Sequence, residues 1–395
     1  MKKYVLVLVA LSFVSRALAQ ESANYPNVFV RLNGEYGYVL PSDDFLKGNN
    51  QTGQPISLVT GGNFELGWQA HGSSPVYDPL LKYPTYGFGF LTYHFPQTTE
   101  LGYPNALYMF LNAPFKRWDR WSVNYIIRLG MSYNWQPHDP VDNVANLVIG
   151  SFRNLYISFG SEGKYRFHPR WEAALGFAFA HFSNGRSSEP NSGVNLLTPH
   201  LGLSYHFNRG QEPEYPELQV PEYEEKGMEY YFTIGNGVRQ EIFDSTQTGV
   251  ATPIGVSYPV TNLSIAAQYQ YKWTGKYGGG IDIIYWGPYN PQIEYDPASG
   301  IVQAVKHPFA DHLQVGVFIS YEFVLNNVSI YAQPGYRIIR KEYPGMAPDF
   351  YQHLALKYHI RDLIVGVAIR AVNFSQAEYI EWNIGYRFKR IKKNK

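Results

Sequence analysis

Residues 170–183, RWEAALGFAFAHFS, alternate with a period of two. Trp171, Ala173, Leu175, Phe177 and Phe179 share one side, while Glu172, Ala174, Gly176, Ala178 and Ala180 share the other. Successive side chains of a β-strand point to opposite faces, so the spacing predicts a strand with one bulky apolar face and one small or charged face. The apolar face ends in His181 and Ser183, which stay in phase with the aromatic residues before them. The segment that follows, NGRSSEPNSGV (184–194), is polar and turn-rich and reads as a loop.

The same alternation returns along the chain. In WSVNYIIRLGMSYNW (121–135), Val123, Tyr125, Ile127, Leu129, Met131 and Tyr133 oppose Ser122, Asn124, Arg128, Gly130 and Ser132. Eight such segments are predicted before Phe207, at about 28–39, 56–69, 86–96, 106–114, 121–134, 152–167, 171–183 and 195–207. Eight more follow, at about 228–240, 257–273, 277–287, 310–322, 327–337, 350–360, 363–375 and 378–388. Alternating segments of roughly ten residues separated by turns are the signature of membrane barrel strands.

Composition points the same way. The chain has 395 residues with 34 Tyr, 24 Phe and 8 Trp, so aromatic residues make up 17% of it. Tyrosine and tryptophan gather where one end of the ring is apolar and the other wet, as at a membrane interface. No segment approaches the roughly 18 consecutive apolar residues of a membrane helix. The absence of cysteine excludes disulfide frameworks, cysteine nucleophiles and thiolate metal sites. A net charge of +1 gives no reason to expect nucleic acid or an acidic partner. The expectation is an all-β protein, an antiparallel transmembrane β-barrel of the outer membrane. The competing reading is a soluble periplasmic β-protein.

Lys2 and Lys3, the apolar run YVLVLVALSFV and the small residues ALA (17–19) have the form of a cleavable export signal over 1–19. NRGQEPEYPELQVPEYEEKG (208–227), too rich in proline and glutamate for a strand, reads as a periplasmic linker between halves 20–207 and 228–388. KRIKKNK (389–395) reads as a solvated tail. A shift of 192 residues aligns AALGFAFAHFSN (173–184) with VGVAIRAVNFSQ (365–376), as expected of an internal duplication. About 16 strands in two repeats allow tandem eight-stranded barrels or one sixteen-stranded barrel. Arg31, Glu35, Arg128, Glu162, Lys164, Arg166 and Glu172 fall on the interior side. They suit side-chain pairing in a small barrel or the water of a large one. Residues 40–55, 184–194, 241–256 and 288–309 are expected as extracellular loops. Residues 70–85 are too long for the short periplasmic turn they should form.

His181 and Ser183, two apart on one strand face, lie within about 7 Å of each other. In the next strand, Leu197, Leu201, Leu203, Tyr205 and Phe207 face outward, and Asn195 is in phase with them. Serine, histidine and a polar third residue on one outward face form a possible nucleophile, base and orienter. Their substrate would have to arrive from within the membrane. The bland alternative is a polar barrel rim. Asn373 and Ser375 stand at the repeat-related positions, without a histidine, so the second half is expected to be non-catalytic. His353 and His359 read as interior polar groups.

HFSNG (181–185) followed by EPNSGVN (189–195) closely resembles the signature of the lipid A 3-O-deacylase (PagL-type), or acyloxyacyl hydrolase, family of outer-membrane β-barrels. That pattern is a histidine, any residue, serine and asparagine, then Pro-Asn-x-Gly and an acidic residue. His181, Ser183, Asn184, Pro190, Asn191 and Gly193 match it. The resemblance spans one hairpin strongly and the first eight strands by general pattern, but not residues 228–395. It implies an esterase that removes an ester-linked acyl chain from lipid A of lipopolysaccharide without a cofactor or metal. Ser183 would be the nucleophile and His181 the general base. Asn191 would stabilise the oxyanion, with Asn184 as a further oxyanion or supporting group. Asn195 stands where the family pattern has a glutamate. Its amide can orient the imidazole but cannot offset the imidazolium charge, and Glu189 is the alternative acid. The other readings are a non-enzymatic barrel, porin or structural, with a decayed site, and a lipase acting on another membrane lipid.

Overall fold

The computed structural model describes residues 27–70, 74–207, 209, 215, 219–243, 254–288, 293–296, 301–304, 307–342, 346–374 and 376–391. The expected export signal, Ser375, most of 208–218 and the last four residues lie outside them.

Two closed antiparallel barrels of eight strands each are present. The first comprises β1 (Asn27–Val39), β2 (Leu58–Gln69), β3 (Thr85–His94), β4 (Gly102–Arg117), β5 (Trp121–Trp135), β6 (Asn154–His168), β7 (Trp171–Ser183) and β8 (Val194–His206). It closes through β1–β8 pairing, with Leu32 opposite Leu203 and Gly34 opposite Leu201. The second half comprises β9 (Gly227–Phe243), β10 (Ile254–Lys272), β11 (Gly275–Trp286), a two-stranded ribbon of β12 (Ile293–Asp296) and β13 (Ile301–Ala304), then β14 (Leu313–Leu325), β15 (Val328–Ile339), β16 (Phe350–Ile360), β17 (Leu363–Val372) and β18 (Gln376–Ile391). It closes through β18–β9, with Ile384 opposite Ile234. Closure leaves no unpaired edge, which a strand exposed to hydrocarbon could not tolerate.

The chain divides into two compact units. The first holds strands β1–β8. The second holds His138–Ser151, Asn184–Asn191 and Pro221–Lys395, and so includes two connecting segments as well as β9–β18.

Each barrel keeps its charges inside and its large apolar groups outside. In the first, Leu32, Leu175 and Leu201 face outward, each 65–68% exposed. Six of the seven charged residues expected inside, Arg31, Glu35, Arg128, Glu162, Lys164 and Arg166, are buried. Glu172, the seventh, is held by Arg209 at 2.6 Å. A buried charge is tolerable only when paired and hydrogen-bonded. Glu162 takes Arg31 Nη1 at 3.1 Å, Lys164 Nζ at 3.4 Å and His200 Nε2 at 3.1 Å, while Arg128 Nε meets Glu65 at 3.1 Å. In the second, Arg370 pairs with Asp282 at 3.0 Å and Lys276 with Glu229 at 2.8 Å, while Ile319 and Trp382 are exposed outside. Interiors filled this way are those of eight-stranded barrels, not of a water-filled pore.

Four expectations change. Residues 288–309 contain the β12–β13 ribbon. Residues 70–85 contain a helical turn at Tyr77–Leu80, and Arg117 Nη2 donates to the carbonyls of Lys82 at 3.1 Å and Tyr83 at 3.3 Å, tying the segment to the end of β4. β17 stops at Val372 because Asn373 and Phe374 adopt positive φ, 53° and 59°, and form a tight turn. Asn373 therefore lies in that turn and not on the outward strand face. The proposed tail is strand as far as Ile391, with Lys389 opposite Glu229.

Candidate active site

Strands β7 and β8 bring the site together by register alone. His181 lies directly opposite Asn195 in the β7–β8 ladder, and Phe182 opposite Val194. On the other side, β6 places Ile157 opposite His181 and Leu155 opposite Ser183. Along the middle of β7, Leu175 and Phe177 are exposed, while Ala178, Ala180 and Phe182 are buried. At the end of the strand His181 is half-buried and Ser183 is buried.

The imidazole is held at both nitrogens. Nδ1 lies 2.7 Å from Asn195 Oδ1, and Nε2 lies 3.0 Å from Ser183 Oγ. With an amide oxygen facing it, Nδ1 carries the proton and donates. Nε2 then presents its lone pair, to which the Ser183 hydroxyl donates. That is the tautomer a general base requires.

Gly193 explains itself by geometry. Its φ of 76° lies in the left-handed region. A Cβ there would lie 2.9 Å from His181 Cε1 and 3.0 Å from the Phe182 carbonyl oxygen. Both the backbone and the space against the imidazole require glycine.

Asn184 and Asn191 lie in the second compact unit. The Asn184 backbone N–H donates to Asn191 Oδ1 at 3.1 Å, and Asn184 Nδ2 donates to Ser151 Oγ at 3.0 Å and to the Ser188 carbonyl at 2.8 Å. The N–H donors of Asn184 are thus used by Asn191 and Ser188 in the loop and by Ser151 outside it. Asn191 Oδ1 is occupied by the Asn184 backbone N–H. Glu189 Oε1 accepts from Arg186 Nε at 2.6 Å. Burial outweighs this arginine and pushes the Glu189 carboxyl above the ordinary glutamate value. The partner on His181 Nδ1 is Asn195, not Glu189.

The second barrel contains a serine, a histidine and a glutamate that spacing along the chain did not suggest. Ser329 Oγ lies 3.0 Å from His359 Nε2, but it donates to Glu322 Oε1 at 2.7 Å. Its proton is directed to a carboxylate inside a closed barrel, beside Lys357 at 3.5 Å from Glu322. This is a buried charge network, not an activated nucleophile. His353 is likewise internal, 3.1 Å from Glu381.

Two family models match the chain. Residues 52–204 match "Lipid A 3-O-deacylase (PagL)", and residues 228–390 match "Acyloxyacyl hydrolase, C-terminal domain". The chain belongs to this family. The second match extends the likeness over the half in which the sequence motif had no counterpart. No curated protein matches the chain. Among solved structures, a triple mutant of the Rhodopseudomonas blastica porin is 8% identical, covering 92% of this chain and all of that one at a TM-score of 0.17. The siderophore receptor PirA from Acinetobacter baumannii is 10% identical, covering 88% of this chain and 56% of that one at a TM-score of 0.22. The two-barrel architecture rests on the strand pairing described above. Barrel fold and family together fit an outer-membrane protein.

Proposed function

We propose that this member of the family is an outer-membrane esterase that removes an ester-linked acyl chain from lipid A, with Ser183 as nucleophile and His181 as general base. The observation that carries the reading is the Asn195–His181–Ser183 chain of contacts, 2.7 and 3.0 Å, between β7 and β8. Phe177, Leu197 and Leu201, exposed on the same two strands, offer an acyl chain a surface it can lie along.

In the reaction, Ser183 Oγ attacks the ester carbonyl carbon while its proton passes to His181 Nε2. The tetrahedral oxyanion accepts a hydrogen bond from Asn191 Nδ2. Asn184 acts as a support that fixes the Asn191 amide through its backbone N–H. Collapse breaks the bond to the sugar oxygen, which leaves with the proton from His181. Water, deprotonated by the same imidazole, then releases the fatty acid and restores Ser183. Asn195 holds the tautomer through Nδ1 but brings no negative charge to the imidazolium. The expected consequence is a slow enzyme, suited to a substrate that stays in the same membrane.

The porin alternative fares worse, because both interiors are occupied by paired charged side chains. Purified protein incubated with lipopolysaccharide should release free fatty acid, and it should show no conductance steps in a planar bilayer. Conductance without fatty acid release would reverse the choice.

A further inference from the structure

The loop that follows the nucleophile is fastened to β9 and β18. Segment Asn184–Asn191 belongs to the same compact unit as both strands. Gln240, on β9, makes two hydrogen bonds to it. Its backbone N–H donates to the Arg186 carbonyl at 2.8 Å, and its side-chain Oε1 accepts from the Glu189 backbone N–H at 2.6 Å. One residue thereby closes a ring on the bend that Arg186 and Glu189 span, and the Arg186–Glu189 ion pair at 2.6 Å closes the same bend from the side chains. A third contact comes from β18. Gly185 has φ 60°, and a Cβ there would lie 2.3 Å from Ile380 Cγ1, so the backbone rests directly on the isoleucine.

We infer that Gln240 is a positioning residue for the reaction. By fixing Arg186 and Glu189 it holds the segment whose ends are Asn184, bonded to Ser183 in the chain, and Asn191, whose amide Asn184 orients. This assigns a task to the half of the chain that lacks the His-x-Ser motif: β9 and β18 set the loop on which oxyanion stabilisation depends. The inference rests on the esterase reading above. A side chain that reads one backbone N–H can be replaced by any acceptor of the same length, and that property separates positioning from bulk packing.

The test uses the full-length protein in detergent micelles, with fatty acid release from lipopolysaccharide as the assay. Gln240→Leu should lower kcat about tenfold, the size expected for one lost hydrogen bond that orders the loop, and leave KM within about twofold. Gln240→Glu, which keeps an acceptor at the same reach, should restore most of kcat. Gly185→Ala should be impaired, and Ile380→Ala placed on top of it should recover the part of the loss that comes from the clash, leaving the cost of the left-handed backbone, an interaction that distant sites do not show. This pair keeps the inference testable if Gln240→Leu does not fold. Wild-type kcat in Gln240→Leu, or equal losses in Gln240→Leu and Gln240→Glu, overturns it, as does strict additivity of the Gly185 and Ile380 changes. A Ser183→Ala protein that still releases fatty acid would instead overturn the esterase reading itself.

Discussion

His181 and Asn195 face each other across the β7–β8 ladder, with Nδ1 of one 2.7 Å from Oδ1 of the other. The pairing fixes which imidazole nitrogen is free, yet it supplies no carboxylate. Asn195→Asp keeps the shape and adds a charge about 3 Å from a developing imidazolium. Even at the effective dielectric of a protein surface, such a charge contributes on the order of kcal/mol, part of it offset by desolvation. Asn195→Asp should therefore raise kcat about tenfold, read as the rate of fatty acid release. Asn195→Leu, which leaves Nδ1 without a partner, should lower it by at least about tenfold.

Gly193→Ala forces a side chain into a left-handed backbone and against the His181 ring, 2.9 Å from Cε1. The conformational cost is about 1 kcal/mol, and displacement of the imidazole adds a loss of rate. The variant should fold, shown by the gel-mobility difference between unheated and boiled samples, and lose more than about tenfold in kcat. Normal turnover in a folded Gly193→Ala would show that the imidazole does not need its observed place.

Much of this was legible in the sequence, for a physical reason. A barrel strand in a membrane meets two different environments on its two faces, and the period of two records both. The limits of β7, Trp171 to Ser183, and of β16, Phe350 to Ile360, follow directly from that alternation. So does the placing of Asn195 in phase with His181. Other features depend on pairings that alternation does not encode. Closure into two barrels is decided by where β1 meets β8, and charged interior residues such as Arg31 and Glu162 suit either size of barrel until their partners are known. The motif residue Asn184 turned out to hold its own loop through Ser151 and Ser188. Gln240 carries no signal of its own, because its partners are backbone atoms 51 and 54 positions earlier in the chain.

Glu162 has no exposed side-chain surface and serves Arg31, Lys164, His200 and Asn112 at once. Glu162→Gln leaves buried cations without their shared carboxylate, a change that costs about 3–5 kcal/mol in comparable sites. The urea midpoint of the variant should fall accordingly, while kcat measured where the protein is still folded should stay within about twofold, since Glu162 has neither His181, Ser183 nor Asn195 among these partners. An unchanged midpoint would mean that the interior network contributes nothing net to folding.

The most direct test of the central claim is the mass of lipid A extracted from cells that express the wild-type protein or Ser183→Ala. The esterase account predicts lipid A lighter by one acyl chain with the wild type and full-length lipid A with Ser183→Ala, at equal amounts of folded protein in the membrane. Identical lipid A from the two strains would contradict it.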